Sequence, residues 1–331
     1  MIKIATWDYD RVRPLIDGRV KIKGEKIDYN ILWVQDIFKR MIRNKEFDVC
    51  EMSMGEYFSS LMDKTREYMA IPVFPSRVFR MRSIYVNKNS GIMDAKGIIG
   101  KKVGIPEFRQ TAGVWIRGIL NDYYQVPYHS QEYYRGPLEF NTTKNKFFSN
   151  LSSTDRITIN KDIKISKIEE NSSLTSLLER GKIDALYSAV TPSTLNDKNS
   201  NIRRLYSDFE EDLKYFKKTN IFPIMHVLIM KNALYEKNKT FVKSLYEAFD
   251  ESMSIAKEEM FNATGALVNM DPFLELTTIK IREILGSDIW DYGIKHNLNT
   301  IKVFSRYCFE QGLTDHLLSV EELFPPELLD T

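Results

Sequence analysis

Short apolar runs alternate with amphipathic stretches of helical length through the first 220 residues, and one run apolar on both faces, 221–230, then precedes only helical patterning. That order constrains the fold more than any other feature of the chain. Strands alternating with helices indicate a mainly parallel sheet covered by helices. A doubly apolar strand belongs in the middle of a sheet, buried on both sides. One strand set is read at 2–6, 27–34, 49–52 and 82–86, and a second at 102–106, 163–168, 183–188 and 202–206. Segment 221–230 then reads as the return crossing to the first set. The expected fold is α/β and two-lobed, with a ligand cleft between the lobes at the carboxyl ends of the strands. The expected lobes are 1–89 with 221–331, and 90–220, joined near 86–95 and 219–223.

Length agrees with this division, because 331 residues is about twice a domain of roughly 150. The polar stretch 138–162, rich in Asn, Thr, Ser and Lys, reads as a long surface loop, with a lid over the cleft as the other reading. A balance of 47 basic against 45 acidic residues, net +2, offers no nucleic-acid surface. Two cysteines, Cys50 and Cys308, are too few for a disulfide framework or a thiolate metal cluster. The opening Met-Ile-Lys-Ile-Ala-Thr-Trp is a strand pattern and not a basic, apolar leader, so a cytoplasmic protein is expected. No apolar run approaches the ~18 residues of a membrane span. Walker, Gly-x-Gly-x-x-Gly, His-Glu-x-x-His and Gly-x-Ser-x-Gly motifs are all absent, which removes the usual support for phosphoryl, dinucleotide, zinc-peptidase and esterase chemistry.

Several runs, spread along almost the whole chain, share a pattern. They are Asp8-Tyr-Asp-Arg11 with Asp17-Gly-Arg-Val20, Phe47-Asp-Val-Cys-Glu-Met-Ser53, and Ile71-Pro-Val-Phe-Pro-Ser-Arg-Val-Phe-Arg80. Gly104-Ile-Pro-Glu107, Thr111-Ala-Gly-Val-Trp-Ile-Arg-Gly118 and Thr219-Asn-Ile-Phe-Pro-Ile-Met-His226 follow. Asp288-Ile-Trp-Asp-Tyr-Gly293 and Arg306-Tyr-Cys-Phe-Glu-Gln-Gly-Leu313 complete the series. In this order they resemble the 4,5-dihydroxyphthalate decarboxylase family, whose members have the periplasmic-binding-protein type II fold. The chain departs from the family pattern at Met81, where His is usual, and at Gly136-Pro137, where Gly-Gly is expected.

The resemblance implies a small aromatic carboxylate as ligand, and a phthalate needs fixed positive charge and directed donors. Arg77 and Arg80 follow the apolar run 71–74 on what reads as a Pro-Ser-Arg turn. They form the expected carboxylate clamp, with a solvated pair of loop arginines as the other reading. Thr111 and Ala112 open an amphipathic segment after a strand, where a helix N-terminus offers unpaired N–H groups to an anion; an ordinary Thr cap is the alternative. Ser53, closing another strand, carries the same two readings. Trp7 and Trp115 are candidates for the cleft or for packing.

His226 stands in an otherwise apolar run. An isolated histidine there is either a satisfied core residue or a catalyst, and the resemblance favours it as the acid that protonates ring carbon. Asp8 or Glu51 is the expected partner at the phenol end. No cofactor is expected, a divalent metal is left open without any ligand spacing to support it, and a homo-oligomer is left open. A solute-binding protein or sensor using the same cleft without catalysis is the competing class.

Overall fold

The computed structural model describes residues 1–139, 162–262 and 270–331. The stretch 138–162, read as a surface loop, lies almost wholly outside the described residues. In chain order the strands are β1 (Ile2–Thr6), β2 (Ile27–Ile31), β3 (Val49–Ser53), β4 (Tyr68–Arg77), β5 (Ile84–Asn87) and β6 (Lys102–Ile105). Then come β7 (Glu132–Arg135), β8 (Lys164–Lys167), β9 (Ala185–Tyr187), β10 (Ile202–Arg204) and β11 (Ile224–Lys231). Among the described residues they form two sheets, ordered β2-β1-β3-β11-β4 and β10-β5-β9-β6-β7-β8.

β11 lies between β3 and β4, antiparallel to both. Its sequence explains the position, since Ile224, Met225 and Val227 through Met230 are all buried and only a central strand buries both faces. His226 is the polar exception, opposite Ser53 of β3 and Ser76 of β4. Ser53 is the last residue of β3, so His226 sits at the sheet end where β3 delivers its chain into a helix.

β4 is longer than the apolar run 71–74. The Pro-Ser-Arg segment read as a turn is its last three residues, ending at Arg77. Pairing of β4 with β11 is irregular between Ile71–Leu228 and Ser76–His226, and Pro72 and Pro75, which cannot donate to a ladder, fall inside that irregular stretch.

The chain passes from the first sheet to the second between Arg77 and Ile84, and returns between Arg204 and Ile224. The first passage precedes the expected crossing at 86–95. β5, on the N-terminal side of the expected boundary at 89/90, is hydrogen-bonded to β9 and β10 of the second sheet. Its alternation marks a strand, but its partners lie about a hundred residues away and no local signal names them. β7, Glu-Tyr-Tyr-Arg, was not legible as a strand because only Tyr133 of its four residues is buried.

Two helices carry the site forward, Met54–Ser60 directly after β3 and Thr111–Tyr124 after β6. The helix Leu298–Glu310 packs on the latter, where Gly118 lies against the Tyr307 ring so closely that a Cβ would stand 2.3 Å from it. Among the described residues no helix is long and apolar enough to cross a membrane. Both cysteines are buried and free.

Candidate functional site

A cavity of about 280 Å3 opens between the two sheets. Trp7, Ser53, Ser76 and His226 line it from the first sheet, and Glu107, Gln110, Thr111 and Ala112 from the second. Trp7 and Trp33 meet edge to face with ring centres 3.8 Å apart, and Phe38 stands at 89° to the His226 ring. The walls combine aromatic rings with many polar and charged side chains, which can orient a small aromatic ligand.

On the first-sheet wall, His226 Nδ1 lies 2.5 Å from Glu51 Oε1. Glu51 is wholly buried on β3 and also accepts the Tyr9 hydroxyl at 2.7 Å and the Trp7 backbone N–H at 3.1 Å. Burial alone pushes a carboxyl pKa up, but the bonds from His226, Tyr9 and Trp7 outweigh it and hold Glu51 below the ordinary range. An ionised carboxylate only accepts, so His226 Nδ1 carries the proton in this pair. Nε2 is left as the ring nitrogen for a ligand. Tyr9 is driven strongly upward, by burial first and by the Glu51 charge second, so it remains a neutral donor.

Arg80 follows the end of β4 and is 8% exposed. It lines the cavity, with Nε 3.0 Å from Met225 Sδ and Nη1 3.5 Å from Ser83 Oγ. Burial lowers its pKa to about 10, which leaves it charged at neutral pH. No carboxylate lies within ion-pair distance of it among the described residues. A buried cation with neutral partners gains most from an arriving anion. The helix Thr111–Tyr124 begins at the same cavity, and its first turn offers unpaired N–H groups.

The second wall also carries charge. Arg109 Nε pairs with Glu56 Oε2 at 2.7 Å, across from the first-sheet helix to the second-sheet loop. Thr111 Oγ1 accepts the Gly55 N–H at 2.9 Å and lies 2.8 Å from Ser53 Oγ. A Cβ on Gly55 would come within 2.2 Å of the Arg109 carbonyl oxygen, so only glycine allows this approach. Glu107 is 4% exposed; its Oε1 accepts the Phe108 N–H at 2.8 Å, and its Oε2 has Arg135 Nη1 at 3.5 Å and no closer hydrogen bond. Burial raises the pKa of Glu107, and of Glu56, above the ordinary carboxylate value despite the nearby arginines.

Of the ten residues singled out from sequence, six line the cavity: Trp7, Ser53, Arg80, Thr111, Ala112 and His226. Glu51 stands behind His226 and does not line the cavity. Asp8 is at the surface, paired with Arg13 at 3.1 Å. Arg77 is buried away from this cavity, donating to the carbonyls of Phe222 and Asp291 and to Asn297 Oδ1. Arg77 is the last residue of β4 whereas Arg80 lies beyond its end, and the two side chains go to different places. Trp115 is core, donating Nε1–H to the Ile224 carbonyl at 2.9 Å and packing on Phe304 and Tyr307. Among the described residues no group of three His, Cys, Asp or Glu side chains is placed to hold a metal ion.

Sequence reasoning missed Tyr9, Glu56, Glu107 and Arg109. A usable signal existed for the last two, because Glu107-Phe-Arg109 separates the carboxyl end of a strand from a helix start, where ligands collect in α/β folds.

Two sheets, two chain crossings and a polar-aromatic cavity between them define a two-lobed protein of the periplasmic-binding-protein type II architecture. The sulfonate-binding protein SsuA of Methylobacillus flagellatus KT has a TM-score of 0.54 at 12% identity, covering 99% of this chain and 92% of that one. The aliphatic sulphonate binding protein SsuA of Escherichia coli gives 0.52 at 10%, covering 98% and 91%. At such identities the likeness concerns the fold alone. No protein-family model matches the chain. The 4,5-dihydroxyphthalate decarboxylase of Comamonas testosteroni is 30% identical over 331 residues, spanning 100% of this chain and 98% of its own length. The Pseudomonas putida protein of the same name is 32% identical over 207 residues, 62% of this chain and 77% of that one. The chain belongs to the 4,5-dihydroxyphthalate decarboxylase family.

Proposed function

We propose that the protein is a carboxy-lyase that removes one carboxylate of 4,5-dihydroxyphthalate, or of a closely related hydroxylated aromatic dicarboxylate, leaving 3,4-dihydroxybenzoate and carbon dioxide. Kinship supports the reaction. The observation that carries it is the His226–Glu51 pair at 2.5 Å on the wall of a cavity that also holds the buried cation Arg80. Anion binding needs the cation and the helix amides; a polarised imidazole beside them suits proton transfer.

Each carboxylate of the substrate stands para to a hydroxyl. Electron release from that oxygen makes the carboxyl-bearing carbon basic, and His226, having taken a proton from solvent on Nε2 while Nδ1–H stays on Glu51, delivers that Nε2 proton to it. The carbon–carboxylate bond then breaks, its electron pair returns to the ring, aromaticity is restored and carbon dioxide leaves. Glu51 holds the imidazole in one orientation and stabilises its charged form. Arg80 and the amides at Thr111 and Ala112 hold the retained carboxylate, while Trp7, Trp33 and Phe38 flank the ring. The ring is its own electron sink, so the chemistry asks for no cofactor.

A cytoplasmic setting is part of the proposal, in keeping with two buried free thiols. So is a division of the lobes by sheet, with β5 in the second lobe, in place of the boundary at 89/90. The test is incubation of the purified protein with 4,5-dihydroxyphthalate, following carbon dioxide and 3,4-dihydroxybenzoate. Equimolar formation of both supports the reading; tight binding with no release, with or without added divalent metal, overturns it.

A further inference from the structure

Electron release from the hydroxyl needs a group to take the phenol proton, and neither carboxylate expected at that end is there. Asp8 is at the surface with Arg13. Glu51 already accepts three hydrogen bonds behind His226 and does not line the cavity. Two other carboxylates do line it, Glu56 and Glu107. Glu56 is held by Arg109 at 2.7 Å. Glu107 is held less tightly, because the ion pair of its buried Oε2 with Arg135 Nη1 spans 3.5 Å and is not a hydrogen bond. A buried carboxylate oxygen with one long ion-pair contact is under-satisfied, and Glu107 lines the cavity where a ligand hydroxyl would supply a donor.

Resting on the decarboxylation reading, the geometry points to Glu107 as a further catalytic residue: it accepts the hydroxyl proton of the bound ring while His226 protonates the para carbon. The proton count closes. Glu107 takes the O–H proton, the oxygen lone pair moves into the ring, and the para carbon bonds to the His226 proton. The carbon–carboxylate bond breaks, the electron pair rearomatises the ring, and Glu107 returns its proton to the oxygen. One proton is consumed overall, replaced at His226 from solvent. The raised affinity of Glu107 for protons that burial gives it suits a base that must hold a phenol proton briefly. Arg109 and Arg135 keep the ionised form accessible.

The experiment compares wild type with Glu107→Gln in three readouts, the binding ones taken with both in a His226→Asn background so that the ligand is not consumed: affinity for unhydroxylated phthalate, affinity for 4,5-dihydroxyphthalate, and the ultraviolet spectrum of the bound catechol. Wild type is expected to prefer the hydroxylated ligand and to shift its spectrum toward the ionised catechol. In Glu107→Gln, phthalate affinity stays within about threefold, the preference and the spectral shift disappear, and turnover falls by ~10² to 10⁴. Retention of both preference and shift in a folded Glu107→Gln overturns the assignment. Should that variant not fold, Glu107→Asp serves, with a weakened shift expected and an unchanged one contrary. The binding readouts do not depend on carbon dioxide release, so loss of the reaction in wild type speaks against the decarboxylase reading and not against Glu107 as the hydroxyl's partner.

Discussion

The two walls of the cavity are built differently. The first-sheet wall is set on strands: Glu51 on β3 and His226 on β11 are neighbours through a sheet ladder, and three donors converge on one buried carboxylate. The second wall is set on a loop and a helix start, where Glu107 and Arg109 precede Thr111 and one buried carboxylate oxygen is left without a hydrogen bond. A saturated network on strands fixes a side chain to a fraction of an ångström, as proton delivery requires. An unsaturated set on loops waits for a ligand to complete it. The first wall is built to hold the donor to carbon rigid, and the second to receive the ligand's hydroxyl and carboxylate.

Removing the charge that orients the imidazole is the harshest test of this contrast. Glu51→Gln is expected to cost ~10² to 10⁴ in turnover, because the amide no longer enforces one tautomer or stabilises the charged ring, while affinity for phthalate changes little. Equal losses in turnover and in phthalate affinity would place Glu51 in binding and erase the distinction between the walls.

The arginines give a smaller effect. Arg80→Ala is expected to weaken phthalate binding by ~1.5 to 3 kcal/mol, the worth of a charge-assisted contact, with kcat affected less than KM. Arg77→Ala, whose guanidinium ties Phe222, Asp291 and Asn297 together, is expected to lower the melting temperature and leave affinity unchanged. Calorimetry and thermal melts on both variants separate the roles.

These two arginines also show where the sequence stops being legible. Strand 2–6 and the doubly apolar β11 were readable because burial on one or two faces writes itself into residue spacing. His226 was visible as a polar interruption of an apolar run, while Glu51 was expected only as a partner at the phenol end. Three residues apart after an apolar run, Arg77 and Arg80 look alike; that β4 pairs with β11 as far as Arg77 and ends before Arg80 is a long-range event. Trp115 was ambiguous for a related reason, since its packing partners, Phe304 and Tyr307, come from the far end of the chain. Glu107 and Arg109 obey no periodicity at all, as loop residues do not.

The smallest expected effect is on stability against pH, and it has opposite signs on the two walls. Glu51 is held below the ordinary carboxylate range, so its contribution is present above that range and is lost as pH falls through the lowered value. Glu107 is raised, so its contribution is full below the ordinary range and is lost as pH rises through the raised value. Thermal melts from pH 3 to pH 8 are expected to show a flatter acid limb in Glu51→Gln and a relative gain toward neutral pH in Glu107→Gln. Identical pH profiles for the two variants would contradict the contrast in their surroundings.

Whether His226 gives the proton to ring carbon is decided by His226→Asn, with carbon dioxide release, phthalate affinity and melting temperature measured on the same preparation. Turnover is expected to fall by ~10² to 10⁴, with affinity within about threefold of wild type and a fold that still melts cooperatively. Turnover per folded molecule close to that of wild type, with only the melting temperature reduced, would contradict it and make His226 a residue of the sheet and not of the reaction.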